Sequence, residues 1–252
     1  MRVAVTTLLF VLSAAAAQQP DPIIEAARAD AARYSQSIPN YLVSRTTARY
    51  QAPAGAINWK ETDSVSAEVI SQENREVYSD IRINGKPSKS LPNEGVWSTG
   101  EFATLLDEIL NPEHRAVFKN RRLDATGSRP AWRYQYEIAG KNSGWDMVGD
   151  VGPFRRMRIA PAYSGVIWID QQTGKVLRIK KSAHGVPRQF PLQRIESSTD
   201  YSLVTIGEQN YMLPTHTETI TCTRSDRTCF KNETLFENYR KFDSSTHITY
   251  EK

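Results

Sequence analysis

The stretch Ala131-Trp-Arg-Tyr-Gln-Tyr-Glu-Ile138 decides the fold, because apolar and polar side chains alternate along it. The apolar members are Trp132, Tyr134, Tyr136 and Ile138. In a β-strand these side chains point to one side of the sheet, and the polar residues between them point to the other. The stretch therefore predicts a sheet with one apolar and one wet face.

Strand-like stretches on both sides of residues 131–138 extend this sheet to about ten strands. Residues 165–170 and 175–179 flank Gln-Gln-Thr-Gly, and residues 201–206 and 211–221 flank Gly-Glu-Gln-Asn. Connections this short cannot contain a helical crossover, so antiparallel pairing is predicted. Asn84-Gly85 favours a tight hairpin. Residues 149–161 are expected to form an irregular loop, and Ser164-Gly165 is interpreted as a turn.

A first helix is predicted from Asp21, which can cap it, to Pro39, which stops it. Its apolar stripe comprises Ile23, Ala27, Ala31, Tyr34 and Ile38. The stripe consists partly of alanine, so this helix can lie close to a sheet.

A second helix follows the capping box formed by Ser98 and Glu101. Its apolar stripe comprises Phe102, Leu105, Leu106, Ile109 and Leu110. Two interpretations stay open: a core helix packed on the sheet, or a mobile lid over an apolar cavity. The carboxylates of Asp107 and Glu108 are expected on the solvated surface of this helix.

The predicted fold class is α+β: a large curved antiparallel β-sheet, or half-barrel, with two helices against its concave face. One domain is expected over residues 18–252. Two helices offer little apolar surface for about ten strands, so the sheet must curl or leave part of its inner face for a ligand. The tentative apolar lining comprises Trp132, Tyr134, Tyr136, Trp168, Phe102 and Leu106. The alternative is that these aromatic side chains form an ordinary core.

The amino terminus predicts export. Met1-Arg2 precedes an apolar run over residues 3–12, and Ala15-Ala16-Ala17 supplies small residues for cleavage after Ala17. Residues 1–17 are therefore predicted to be a signal peptide, and the alternative is a buried amino-terminal helix. The expected location is periplasmic or secreted. In that oxidising space Cys222 and Cys229, which flank six polar residues, favour a disulfide over two free thiols.

The charge balance says little about function and does not predict nucleic-acid binding. Lys and Arg number 32 against 28 Asp and Glu, which gives a formal charge of +4. This balance is too even to predict nucleic-acid binding by itself, and nucleic acid is a poor partner for an exported chain with this balance. The densest basic run contains Arg155, Arg156 and Arg158, and it favours either peripheral contact with anionic lipid headgroups or a solvated loop.

No catalytic pattern is evident. The four histidines lack metal-ligand spacing, so neither a metal site nor a cofactor is predicted. No nucleophile elbow of the Gly-x-Ser-x-Gly type is present. His216 and Glu218 share a strand face and are the only candidates for a hydrolase site. An enzyme is the least favoured interpretation.

Several stretches together resemble a known group of proteins. They are Ala32-Arg-Tyr-Ser-Gln-Ser-Ile-Pro-Asn-Tyr41, Tyr163-Ser-Gly-Val-Ile-Trp-Ile-Asp170 with Thr173-Gly-Lys-Val-Leu-Arg178, Tyr211-Met-Leu-Pro214 and Phe236-Glu-Asn-Tyr-Arg-Lys-Phe242. With the order of signal peptide, helix, strands, helix and long meander, they resemble the LolA-like superfamily of periplasmic lipoprotein carriers and the amino-terminal domain of RseB-type sensors. The resemblance implies a half-barrel whose concave face takes acyl chains, and for the sensors a membrane partner. It assigns no role to a single residue.

Three functions follow as hypotheses. The first is a non-catalytic envelope protein that binds lipid or lipoprotein acyl chains by burying their methylene groups. The second is an envelope sensor or protein-interaction module that acts through exposed strand edges and the basic run near Arg155. The third is a hydrolase with an unrecognised site.

Overall fold

The computed structural model describes residues 20–72, 75–92, 104–152 and 155–242. Within these ranges the chain forms two α-helices and thirteen strands. The helices are α1 (Pro22–Ser37) and α2 (Thr104–Leu110). The first four strands are β1 (Tyr41–Pro53), β2 (Lys60–Gln72), β3 (Arg75–Ile83) and β4 (Lys86–Pro87). The later strands are β5 (Val117–Thr126), β6 (Arg129–Ile138), β7 (Met147–Gly152), β8 (Arg155–Ile159), β9 (Ala162–Asp170), β10 (Val176–His184), β11 (Leu192–Ile206), β12 (Gln209–Thr223) and β13 (Thr228–Lys241).

Eleven of the strands form one open antiparallel sheet. Their order is β4-β3-β2-β1-β13-β12-β11-β10-β9-β6-β5, so β1 lies between β2 and β13. Sequential strands mostly pair with each other, as the short connections predict. The predicted fold class is confirmed: α+β, a large curved antiparallel sheet with two helices against one face. The hairpin at Asn84-Gly85 is also confirmed, because both residues have positive φ between β3 and β4.

The register assigns side chains to two faces. One row of cross-strand neighbours runs over eight strands and is buried: Tyr134, Ile167, Ile179, Thr199, Thr217, Thr234, Thr47 and Val65. This row defines the helix-covered face, since Tyr134 donates a hydrogen bond to Asp21 at the start of α1. The parallel row one residue along each strand is Arg133, Trp168, Arg178, Asp200 and His216, and it defines the open face.

Helix α1 begins as the sequence predicts. The carboxylate of Asp21 accepts the Ile23 N–H at 3.0 Å, and Pro22 occupies the first turn. The core contains Ala27 and Tyr34 from the predicted stripe, and also Ile24, which the prediction omitted. Ile23 is only partly buried, because the stripe is rotated slightly towards Ile24.

Helix α2 packs on the same face of the sheet. Its side chains Leu105, Leu106, Ile109 and Leu110 are all buried, which agrees with the core-helix interpretation. The Tyr163 hydroxyl donates to the Glu108 carbonyl at 3.1 Å and fixes the helix to β9. The predicted capping box and Phe102 lie outside the described residues.

The expected irregular loop at residues 149–161 is wrong. Strands β7 and β8 form a two-stranded antiparallel sheet there, with Met147 opposite Ile159. Half-buried and exposed side chains alternate along β7, but its glycines obscured this period in the sequence. At Gly149 a Cβ atom would lie 2.9 Å from the Phe190 ring, so glycine lets this hairpin approach residues 190–191.

Cys222 and Cys229 form the predicted disulfide and lie directly opposite each other across β12 and β13. Neither helix in the described ranges has the length and hydropathy that a membrane crossing requires. The predicted signal peptide, residues 1–17, lies outside the described residues.

Candidate functional site

Five of the six residues predicted to line an apolar cavity are described, and the register places them on both faces of the sheet. Tyr134, Tyr136 and Leu106 are buried on the helix-covered face, within one core cluster. Trp132 is only partly buried and lies under the Arg121 guanidinium, 5.2 Å from its ring centre. Trp168 is buried in the same cluster, although the register with Arg133 turns it towards the open face, and Phe102 lies outside the described residues.

A groove of about 540 Å³ instead crosses the open face. Its floor consists of two neighbouring rows of side chains on β5, β6, β9, β10, β11 and β12. The first row is Lys119, Gln135, Val166, Lys180, Ser198 and Glu218. The second row is Glu137, Ser164, Ser182, Glu196 and Ile220. Nine of these eleven residues are polar or charged, so we define this surface as the polar groove.

Charge is separated across the polar groove. Lys119 and Lys180 lie on β5 and β10, whereas Glu196 and Glu218 lie on β11 and β12. Lys119 pairs with Glu137 at 2.6 Å, and Glu196 pairs with Arg194 at 2.7 Å. Among the described residues, the side chains of Lys180 and Glu218 form neither an ion pair nor a hydrogen bond. They lie in one row two strands apart, about 10 Å at the usual strand spacing.

Gly165 is required beneath the groove. Its cross-strand neighbour Tyr136 lies over it and donates a hydrogen bond to the Lys180 carbonyl at 3.0 Å. A Cβ atom at Gly165 would overlap that carbonyl oxygen and would lie 2.6 Å from the Tyr136 hydroxyl. Ser164-Gly165 is thus part of β9, and its interpretation as a turn is wrong. The hydrogen bond that Tyr136 makes across Gly165 to Lys180 links β6, β9 and β10 beneath the groove.

Beside the groove, Trp168 is clamped between two arginines. The guanidinium groups of Arg133 and Arg178 lie 5.7 Å and 6.0 Å from its ring centre. Its Nε1–H donates to Asp124 at 3.1 Å. The Ala125 N–H, followed by the Trp168 N–H, lowers the pKa of Asp124. Trp168 therefore has a structural role on the open face, because its ring already makes cation–π contacts with Arg133 and Arg178.

The two candidates for a hydrolase site, His216 and Glu218, have different surroundings. His216 lies next to Asp200, with Nδ1 3.4 Å from Oδ2, and Asp200 also accepts from Arg178. Glu218 points into the polar groove opposite Ser198. A contact that the sequence did not predict joins Ser164 Oγ and His184 Nε2 at 2.6 Å. In the described chain no carboxylate is hydrogen-bonded to His184, so the third member of a catalytic triad is missing.

A buried ion pair lies on the other face of the same strands. Lys181 Nζ is 3.0 Å from Glu108 Oε2 and 3.9 Å from the centre of the Trp145 ring. Glu108 is buried, so the expectation that it needs only solvent is wrong. Burial, reinforced by the Glu108 charge, raises the pKa of Tyr163 well above its usual range. The sequence held no signal for this pair, because the two residues are 73 positions apart.

The basic run occupies the exposed strand β8. Arg156 pairs with Asp150 at 3.2 Å, and Arg158 pairs with Asp146 at 3.3 Å. Two of its three arginines are thus neutralised by neighbouring carboxylates, which weakens any attraction to anionic headgroups.

No protein-family model matches the chain, and a search of curated proteins gives no match. The resemblance to LolA-like carriers therefore stays a prediction.

Proposed function

We infer that this chain is a non-catalytic protein-interaction module, and that its partner binds in the polar groove on the open face. The main support is a pair of opposite charges in this groove. Lys180 and Glu218 face the same groove with opposite charges and form no ion pair with the described residues. A partner with charges of both signs would complement them, as polar interfaces do.

The serines in the groove favour the same class of partner. Ser164, Ser182 and Ser198 supply hydroxyl groups along the floor, which can donate to or accept from a peptide backbone. An acyl chain placed over them would leave these groups and the charges without hydrogen bonds, at about 1–3 kcal/mol for each buried group. The groove chemistry therefore favours a peptide over a lipid.

The acyl-chain hypothesis has less support. Tyr134, Tyr136 and Leu106, which would have lined its cavity, are packed among the protein's own core side chains. Lipid binding stays a prediction, and native mass spectrometry tests it directly. A purified protein that carries a lipid in a one-to-one ratio would favour the carrier over the interaction module.

The proposal includes export of the protein to an oxidising compartment. The disulfide between Cys222 and Cys229 supports an oxidising compartment, since such bonds are rare in the reducing cytosol. An envelope location would fit both a sensor and an interaction module.

Site-specific photo-crosslinking tests the proposal. A photoreactive phenylalanine analogue at Ser182 lies in the groove, and the same analogue at Thr46 lies exposed on the open face away from it. In envelope extracts of the source cells, one protein should crosslink at Ser182 and not at Thr46. Excess unlabelled protein should compete, whereas the charge-swapped variant Lys180→Glu with Glu218→Lys should not. Equal crosslinking at both positions, or equal competition, would count against the groove.

A further inference from the structure

One edge of the main sheet is unpaired among the residues that the structure describes. Within the described residues, β5 hydrogen-bonds only with β6 and ends the sheet. All ten of its residues are exposed or half-buried. An edge strand carries unpaired backbone N–H and C=O groups, which can template another strand. The polar groove begins at this edge, because Lys119 and Asn120 line it.

We propose that β5 receives an extended acidic segment of another protein as an added strand, next to the polar groove. This inference rests on the proposed function, because it specifies how the same partner binds. Strand addition supplies affinity through main-chain hydrogen bonds and specificity through alternate side chains.

The charge of β5 selects the partner. The strand carries Lys119, Arg121 and Arg122, and only one acidic residue, Asp124. Lys119 pairs with Glu137 and Arg121 pairs with Asp21, so Arg122 is the cation that an added strand can engage. Asp124 is already engaged, since it accepts from the Ala125 N–H and from Trp168. The Arg122 side chain is exposed and forms no ion pair or hydrogen bond with any described residue. An acidic neighbour on an added strand would give Arg122 a direct ion-pair partner.

Two exposed apolar side chains flank these cations. Val117 is 60% exposed and Leu123 is 65% exposed. Both would lose water if another strand packed beside β5. The fitting segment therefore alternates acidic and β-branched residues.

A second copy of this chain fits poorly. Pairing β5 with itself would bring Lys119 and Arg122 of one copy close to the same cations of the other. Like charges across a strand pair destabilise it. Repulsion between like charges therefore disfavours a second copy and leaves an acidic strand as the fitting occupant.

The experiment uses the full chain and a fluorescein-labelled nine-residue peptide of alternating Glu and Val, with a Lys and Val peptide as control. Fluorescence anisotropy measures binding to the wild type, to Arg122→Glu, and to Lys86→Glu on β4 at the opposite edge. The proposal expects that Arg122→Glu weakens binding at least tenfold and that Lys86→Glu changes it less than twofold. The Lys and Val peptide should not bind. Hydrogen exchange should show new protection in residues 117–126.

Three results would overturn the proposal: no binding of the acidic peptide, equal loss in the two variants, or protection confined to β11 and β12. A dimer of the free protein in light scattering, abolished by Arg122→Glu, would assign the edge to a second copy and also overturn it. The crosslink at Ser182 tests the groove separately. If that crosslink persists while the peptide fails to bind β5, the proposed function stands and strand addition falls.

Discussion

Lys181 on β10 forms an ion pair with Glu108 on α2 at 3.0 Å, and the two side chains are only 9% and 10% exposed. Trp145 covers the ammonium group, and the Tyr163 hydroxyl binds the Glu108 carbonyl. The pair therefore ties a seven-residue helix, which is too short to be stable alone, to the sheet.

Replacing Lys181 with Met should destabilise the protein strongly, because it leaves the Glu108 carboxylate buried without a counter-charge. The free energy of unfolding in urea should fall by about 3–5 kcal/mol. The double variant Lys181→Met with Glu108→Leu should recover most of this loss. The matched control is Lys119→Met, which breaks the exposed pair with Glu137 and should cost less than about 1 kcal/mol. Similar losses in the two single variants would contradict the prediction.

Gly165→Ala should destabilise the sheet, because the new methyl group would collide with the Lys180 carbonyl and the Tyr136 hydroxyl. Such overpacking costs about 1–3 kcal/mol, measured as a shift of the urea midpoint. Gly152→Ala is the control, since a Cβ atom there meets nothing within 4 Å. A Gly165→Ala variant as stable as Gly152→Ala would show that the strands can separate without cost.

Removing the disulfide should lower stability moderately. The bond between Cys222 and Cys229 closes a small loop, with a sequence separation of 7. The double variant Cys222→Ser with Cys229→Ser should lose about 2–3 kcal/mol, because its unfolded chain gains entropy. The reduced wild type should unfold at the same urea concentration as the variant. An unchanged midpoint after reduction would mean that the hairpin alone fixes this end of the sheet.

Asp170 should make stability depend on pH. Burial alone would raise the pKa of its carboxyl, but hydrogen bonds from Thr173 and Arg129 lower the pKa overall. A carboxyl with a depressed folded-state pKa stabilises the protein above its unfolded pKa, about 3.9, and loses that contribution as pH falls through the folded pKa. Asp170→Asn should therefore be less stable than the wild type at pH 7, by about 1–3 kcal/mol. Urea unfolding should show this gap shrinking below about pH 4, and a gap that stays constant to pH 2 would contradict the assignment.

Local signals in the sequence predicted much of the fold. The Asp21 cap, the turn at Asn84-Gly85 and the disulfide each depend on residues close in the chain. The local sequence is therefore enough to predict them. The face of Trp168 could not be predicted in this way. It lies in Val-Ile-Trp-Ile, where every residue is apolar, and such a run carries no period that separates the two faces.

The polar groove was also outside the reach of the sequence. Its residues come from six strands, and only the register brings them together. The sequence indicated which side chains are polar, but a shift of one residue in any strand would have turned them to the helix-covered face. Glu108 was misjudged for a related reason, because its partner Lys181 lies on a distant strand.

The position of β1 between β2 and β13 governs how the protein can be made. Thr47 and Thr234 share a hydrogen bond across 187 residues. The two halves of the sheet therefore join only where β1 pairs with β13, close to the carboxyl end of the polypeptide. During synthesis one edge of β1 stays unpaired until β13 has been made. Contacts this distant in sequence slow folding. Deleting β13 would therefore remove the strand that joins the β1–β4 meander to β12, instead of trimming an edge.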